Sequence, residues 1–221
     1  MNRKAVIFDM DGVLVDSYRA HFEVWKRLAA RLGRSLTERE FAATFGRRNR
    51  EIMHALWGDA VPDERIEELG EWKEEQYREI LREAFPAMDG AADLVEALRS
   101  AGFRLAVGSS GPPENVRMAL EGMGGTFLFD ATVSGREVRV GKPDPEVFLK
   151  AAAKLGAEPR CCAVIEDAVA GIEAARRAGM AAIALVGTAP REALQAAGAD
   201  LVVDSLRDLS PARIAALINN E

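Results

Sequence analysis

The chain has few of the residues that would tie it to an oxidising compartment, a membrane or a polyanion. It contains two cysteines, two histidines and two tyrosines in 221 residues. Cys161 and Cys162 are adjacent and lead into Ala163-Val164-Ile165, so they read as small strand residues; without a CxxC spacing neither a disulfide framework nor dithiol redox chemistry is supported. Long apolar runs are also missing. Arg3 and Lys4 precede only Ala5-Val6-Ile7-Phe8 before Asp9, too short for the core of a signal peptide, and nothing approaches the roughly 18 apolar residues of a membrane span. Positive charge is scarce as well: 29 basic against 35 acidic residues give a net charge of -6, which argues against a nucleic acid or an anionic membrane as partner. The expectation is a cytoplasmic, monomeric protein. Any anionic substrate must be met by cations gathered locally.

What is present is ample apolar material, 48% of residues, arranged with a clear alternation from about residue 88 onward. Short apolar runs at Ala5 to Phe8, Arg104 to Val107, Ala131 to Ser134, Cys162 to Ile165, Ala181 to Leu185 and Leu201 to Val203 read as strands. Helical periodicity occupies Ala91 to Ser100, Glu114 to Glu121, Pro145 to Leu155 and Ala168 to Ala178. Strands alternating with helices predict an α/β fold, a Rossmann-like parallel sheet covered by helices. The stretch from Tyr18 to Phe85 differs, with amphipathic patterns at Tyr18 to Leu32, Glu38 to Thr44, Arg50 to Trp57 and Glu64 to Glu83 and no convincing strand. It reads as an all-helical insertion over 16–87 in a core formed by 1–15 and 88–221. Trp25, Trp57 and Trp72 all fall in the insertion, where packing is the plainer reading.

Ligands in such a sheet bind beyond the carboxyl ends of the strands, so the residues after each apolar run matter most. Asp9 and Asp11 follow the first. A single carboxylate there would be an ordinary cap; two on one side repel and are tolerated when a metal or a shared proton relieves them. Gly108-Ser109-Ser110-Gly111, running into Pro112-Pro113, suits a phosphate cradle at a helix N-terminus, although alone it is no more than a turn. In Gly141-Lys142-Pro143-Asp144-Pro145 the prolines fix the backbone around a lysine that would otherwise be taken for a solvated charge. Glu166-Asp167 follows the fourth strand. Asp167 as a helix cap is the bland reading, and with the first pair the better one is a hard-cation site of the Mg2+ type.

The segment Asp9-Met10-Asp11-Gly12-Val13-Leu14-Val15-Asp16-Ser17, with Ser109, Lys142 and Glu166-Asp167 in that order, resembles the haloacid dehalogenase-like hydrolases over essentially the whole chain. The resemblance implies Asp9 as nucleophile, Asp11 as general acid and base, Ser109 and Lys142 as phosphate ligands, and Mg2+ held by Asp9, Asp11, Asp167 and Glu166 in a ligating or supporting role. Asp11 argues against dehalogenation, since a halide leaving group needs no proton. A receiver domain shares an acidic cluster and a lysine but is about half as long and lacks the insertion.

Within that superfamily the chain is similar to the beta-phosphoglucomutase-like subgroup in Asp16, His21, Trp25-Lys26, Phe41 to Arg50, Lys73 with Tyr77, and Ala170-Gly171-Ile172. The resemblance makes the insertion a cap, places Arg50 on a distal phosphate of the substrate, and makes His21 and Lys73 a pair that couples cap closure to the active site; Arg47 and Arg48 are the candidates to replace the charge of a lysine that mutases carry nearby, and Ser110 is expected against the substrate. Gly46 stands where mutases carry a sugar-contacting lysine, and Gly111-Pro112-Pro113 replaces a Ser-Lys-Asn-like stretch. These departures favour a Mg-dependent phosphatase of a small phosphorylated metabolite, a sugar phosphate by expectation, working through an aspartyl phosphate. A sugar-phosphate mutase is the alternative, and a non-catalytic binding module is less favoured because neither Asp9 nor a Mg2+ ligand is lost.

Overall fold

The computed structural model describes residues 4–218; positions 1–3 and 219–221, with Arg3 and the two ends of the expected core, lie outside the described residues. Six strands form one parallel sheet in the order β3-β2-β1-β4-β5-β6. They are β1 (Ala5–Phe8), β2 (Arg104–Gly108), β3 (Ala131–Val133), β4 (Cys162–Glu166), β5 (Ala181–Leu185) and β6 (Leu201–Val203). All four residues of β1 are buried because helices cover both faces, which is why the central strands read as continuous apolar runs. Val6 and Phe8 face one helical layer with Leu105, Val107 and Ile165. Ala5 and Ile7 face the other with Ala106, Val164 and Ala182. Cys161 and Cys162 point to opposite layers, and both are free and buried.

The helices of the core are α5 (Ala91–Ser100), α6 (Pro113–Gly122), α7 (Glu146–Leu155), α8 (Val169–Arg177), α9 (Arg191–Ala196) and α10 (Pro211–Leu217). The last two were not legible as periodic stretches, being only 6 and 7 residues long. One boundary matters for the site: β4 extends one residue further than expected, so Glu166 is a strand residue paired with Ala184 rather than the first residue of a loop.

Four α-helices lie between β1 and α5: α1 (Tyr18–Arg31), α2 (Glu38–Ala42), α3 (Asn49–Trp57) and α4 (Asp63–Glu83). They enclose an apolar centre of Trp25, Leu28, Phe41, Met53, Trp57 and Leu69. Trp72 lies at its margin under the Arg31 guanidinium, 4.9 Å from the ring centre. In α4, Ile66, Leu69, Lys73 and Tyr77 recur at three- and four-residue spacing, so Lys73 rides on the buried stripe of its helix. The chain enters and leaves this cap side by side: Val15 and Ala87 form an antiparallel bridge, and Asp16 N donates to Pro86 O at 2.8 Å. No described helix is long and apolar enough to cross a membrane.

Candidate active site

Parallel strands share one carboxyl edge, and the site is built there. Asp9 follows β1 and its N–H donates to Ile165 O of β4 at 2.9 Å, so the backbone holds it against that strand. Lys142 Nζ donates to Asp9 Oδ1 at 2.6 Å and to Glu166 Oε1 at 2.7 Å, with its ammonium 4.8 Å from the centre of the Phe148 ring. Lys142 is therefore no solvated charge: it is 2% exposed and lies between two buried carboxylates. Burial opposes its charge, but Asp9 and Glu166 outweigh that and raise its pKa. Ser109 is buried beside this group, with its N–H on Val133 O and its Oγ accepting from Gly111 N at 3.0 Å.

Asp9, Glu166 and Asp167 can each offer an oxygen such that all three lie within 4.8 Å of one another. A hard cation fits this donor set on two observations. Asp167 Oδ1 is buried without any hydrogen-bond partner, which a carboxylate oxygen tolerates poorly. Burial, against the pull of Lys142 and with Glu166 adding repulsion, also raises the Asp9 pKa to about 7. Asp167 is raised as well, by burial and then by Glu166 and Asp9. Asp167 does not cap α8, whose N-cap residue is Ala168 with no side-chain hydrogen bond.

The four expected ligands are not equivalent. One Glu166 oxygen accepts from Lys142 and the other accepts from Ala168 N at 2.6 Å, so both of its oxygens already have a partner. The Asp11 carboxylate lies outside the acidic cluster. Its Oδ1 instead accepts from Ser17 Oγ at 2.7 Å and Tyr77 OH at 2.7 Å and lies 3.0 Å from His21 Nε2. Although burial pushes Asp11 upward, His21, Ser17 and Tyr77 more than offset it and hold this carboxyl well below the usual range.

Through His21 the core carboxylate is tied into the cap. Lys73 Nζ lies 2.9 Å from His21 Nδ1; with the ammonium donating, Nδ1 accepts and the ring proton sits on Nε2, toward Asp11. The ring stacks on Tyr77 at 3.9 Å. Lys73 also donates to Glu74 Oε1 at 3.0 Å, Asn49 Nδ2 to the same oxygen at 2.8 Å, and Asn115 Nδ2, from α6 of the core, to Glu74 Oε2 at 2.7 Å. Burial works against the Glu74 charge, yet Lys73, His21 and Asn49 keep its pKa below the usual value.

Asp9, Asp11, Ser109 and Ser110 face His21, Lys73, Glu74 and the 41–49 stretch across a cavity of about 40 Å³. That is room for a few water molecules and not for a sugar phosphate. A groove of about 1010 Å³ between α4 and the core begins at the shared residues Asn49, Glu74 and Ser110. Arg47 reaches the cavity and has no ion-pair partner among the described residues. Arg50 does not line the cavity: it borders the outer groove and is paired with Asp63, Nη1 to Oδ2 3.1 Å. Nor is Gly46 an open slot for a lysine. Its φ is +84°, a Cβ there would stand 2.8 Å from Ala168 Cβ, and its carbonyl accepts from Ser110 Oγ at 2.7 Å, so glycine is what lets the cap loop touch the core.

Residues 3–179 match the haloacid dehalogenase-like hydrolase family. The chain belongs to the haloacid dehalogenase-like hydrolases. Among its relatives in this family, a phosphorylated carbohydrates phosphatase of Thermotoga maritima is 32% identical over 80% of this chain and 82% of its own. A beta-phosphoglucomutase of Bacillus subtilis is 33% identical over 94% and 92%. The crystal structure of a beta-phosphoglucomutase from Clostridium difficile superposes with a TM-score of 0.89 at 27% identity, covering 98% of this chain and 97% of that one. Phosphatases and mutases of the family thus lie at nearly equal distance, and overall identity does not separate the two activities.

The sequence did not single out Ser17, Asn49, Glu74, Asn115 and Thr188. Glu74 is one of many acids in α4, and only the helical spacing from Lys73 and Tyr77 hints at its side. Asn115 and Thr188 carry no local signal at all, since each acts through a partner more than 20 positions away.

Proposed function

We propose that this family member is a Mg2+-dependent phosphatase acting on a small phosphorylated metabolite, a sugar phosphate by preference, through an aspartyl phosphate on Asp9. The observation that carries the reading is the division of labour between the two aspartates. Asp9 sits in the acidic cluster under Lys142, while the Asp11 carboxylate is held outside it by three donors on Oδ1. A carboxylate oxygen of Asp9 attacks phosphorus and the bond to the leaving oxygen breaks, with Asp11 supplying the proton that oxygen needs. Water then attacks phosphorus, Asp11 takes its proton, and the bond to Asp9 breaks to release phosphate. Asp11 as it stands is ionised and ready for the second role; the first requires that the negative charge of the incoming phosphate bring a proton with it. Ser109 and Lys142 neutralise and orient the phosphoryl oxygens. A bound Mg2+ would add positive charge at those oxygens, held by Asp9 and Asp167 with Glu166 behind them. The matching experiment is phosphate release from a panel of sugar phosphates with Mg2+ and in excess chelator; full activity in chelator contradicts the reading.

A mutase is the second reading, favoured by the Asp11–His21–Lys73 contact, which ties proton transfer to the cap. Against it, Arg50 is paired with Asp63 outside the cavity, and a side chain at Gly46 would be strained by its positive φ and by Ala168 Cβ at 2.8 Å. Supplying beta-glucose 1-phosphate with a trace of the 1,6-bisphosphate decides: glucose 6-phosphate accumulating well ahead of free phosphate makes the enzyme a mutase.

A further inference from the structure

Asp9 and Glu166 are both held by Lys142, but Asp167 is held differently. Its Oδ2 accepts from the Thr188 hydroxyl, and its Oδ1 is the buried oxygen without a partner. Thr188 lies in the turn between β5 and α9. Because Glu166 of β4 pairs with Ala184 of β5, the chain leaving β5 rises beside the chain leaving β4. Val186 N donates to Val203 O at 2.9 Å, rooting the turn before Pro190 starts α9. On the other side stands Gly12, with φ +83°; a Cβ there would come within 1.9 Å of Asp167 Oδ2. Oδ2 is thus confined between a glycine backbone and one hydroxyl.

We propose that Thr188 is a positioning residue for the cation site, its hydroxyl fixing Oδ2 so that Oδ1 of Asp167 is presented as a ligand. This rests on the cation reading above. The final torsion of an aspartate is broad and two-fold, so nothing intrinsic chooses which oxygen faces the site; a donor on one of them does. Partners of this kind behind a metal ligand typically carry about 10–100-fold in affinity.

The test is Mg2+ titration by calorimetry on the wild type, Thr188→Val, Thr188→Ser and Thr188→Ala, with circular dichroism as the folding control. Val is expected to weaken Mg2+ binding about 10–100-fold while Ser stays close to wild type. Should the methyl that Val puts in place of the hydroxyl crowd Asp167, Ala, which removes the hydroxyl without a replacement, must show the same loss. Val and Ala binding Mg2+ as tightly as wild type overturns the role of Thr188 and leaves the cation reading intact, as does Ser binding as weakly as Val. A wild type that takes up no Mg2+ overturns the cation reading and the Thr188 assignment together.

Discussion

The carboxyl edge of the sheet and the wall of the cap above it solve the same problem, keeping buried charge, in opposite ways. At the edge, Asp9, Glu166 and Asp167 outnumber the one lysine among them, and Asp167 keeps an oxygen unpaired. In the cap, Lys73 and Glu74 are matched, and both Glu74 oxygens are hydrogen-bonded. The edge is left incomplete in a way that a cation and a phosphate would complete, whereas the cap wall is complete without any ligand. Open hydrogen-bonding capacity at Asp167 leaves the edge able to hold a ligand, and satisfied capacity in the cap wall holds that wall in place.

The largest effect should come from the edge. Asp9→Asn keeps volume and can still accept from Lys142, so the fold should persist by thermal melting while phosphate release falls by about 10⁴-fold or more. Residual release near wild type would end the covalent reading. Next is the competition between proton and cation. Because the Asp9 pKa is raised to about 7 and that of Asp167 is raised as well, protons must leave before a cation binds, so Mg2+ affinity measured by calorimetry should fall by about tenfold or more per pH unit as the pH drops below about 7. A flat profile would mean that Asp9 is not a ligand.

The cap wall should respond in stability before it responds in chemistry. Lys73→Met leaves Glu74 charged, buried and without its cation, which is expected to cost about 3 kcal/mol in denaturant unfolding, and it frees His21 Nδ1. Phosphate release should drop as well, since the Nε2–H tautomer toward Asp11 is no longer enforced. Undiminished stability would show the cap wall to be as incomplete as the edge. The smallest effects should separate the two arginines. Arg47→Ala is expected to raise KM for a preferred sugar phosphate while sparing a small aryl phosphate. Arg50→Ala removes an exposed pair with Asp63 and should change stability by no more than about 1 kcal/mol and KM hardly at all. The reverse order would return Arg50 to the substrate.

The edge was legible in the sequence because a parallel sheet reads linearly: Asp9, Gly108-Ser109 and Glu166-Asp167 directly follow apolar runs, and strand ends converge by topology alone. The cap was not. Only one residue in three or four of a helix faces the cleft, and a shift of one position turns it by about 100°. The sequence suggested a helix beginning at Arg50; it begins at Asn49, and it is Asn49 that borders the cavity while Arg50 turns to Asp63. Glu74 was hidden among the acids of α4, and Asn115 and Thr188 act across contacts that no spacing encodes. Gly46, which aligns with a lysine of the mutases, is also a point of close approach between cap and core. Its role depends on Ala168 and Ser110, which are far away in the chain.

The antiparallel bridge between Val15 and Ala87 bears on how such a protein can change over time. Since the cap departs from and returns to one spot on the core, the sheet experiences it as a closed loop, whatever its internal design. Lengthening a loop adds only about 0.6 kcal/mol of closure entropy per doubling, so whole helices can be lost, gained or exchanged there without redrawing a single strand pairing. Substrate preference would then drift through exchange of the inserted unit, while the bond-breaking apparatus, anchored one layer below, stays as it was.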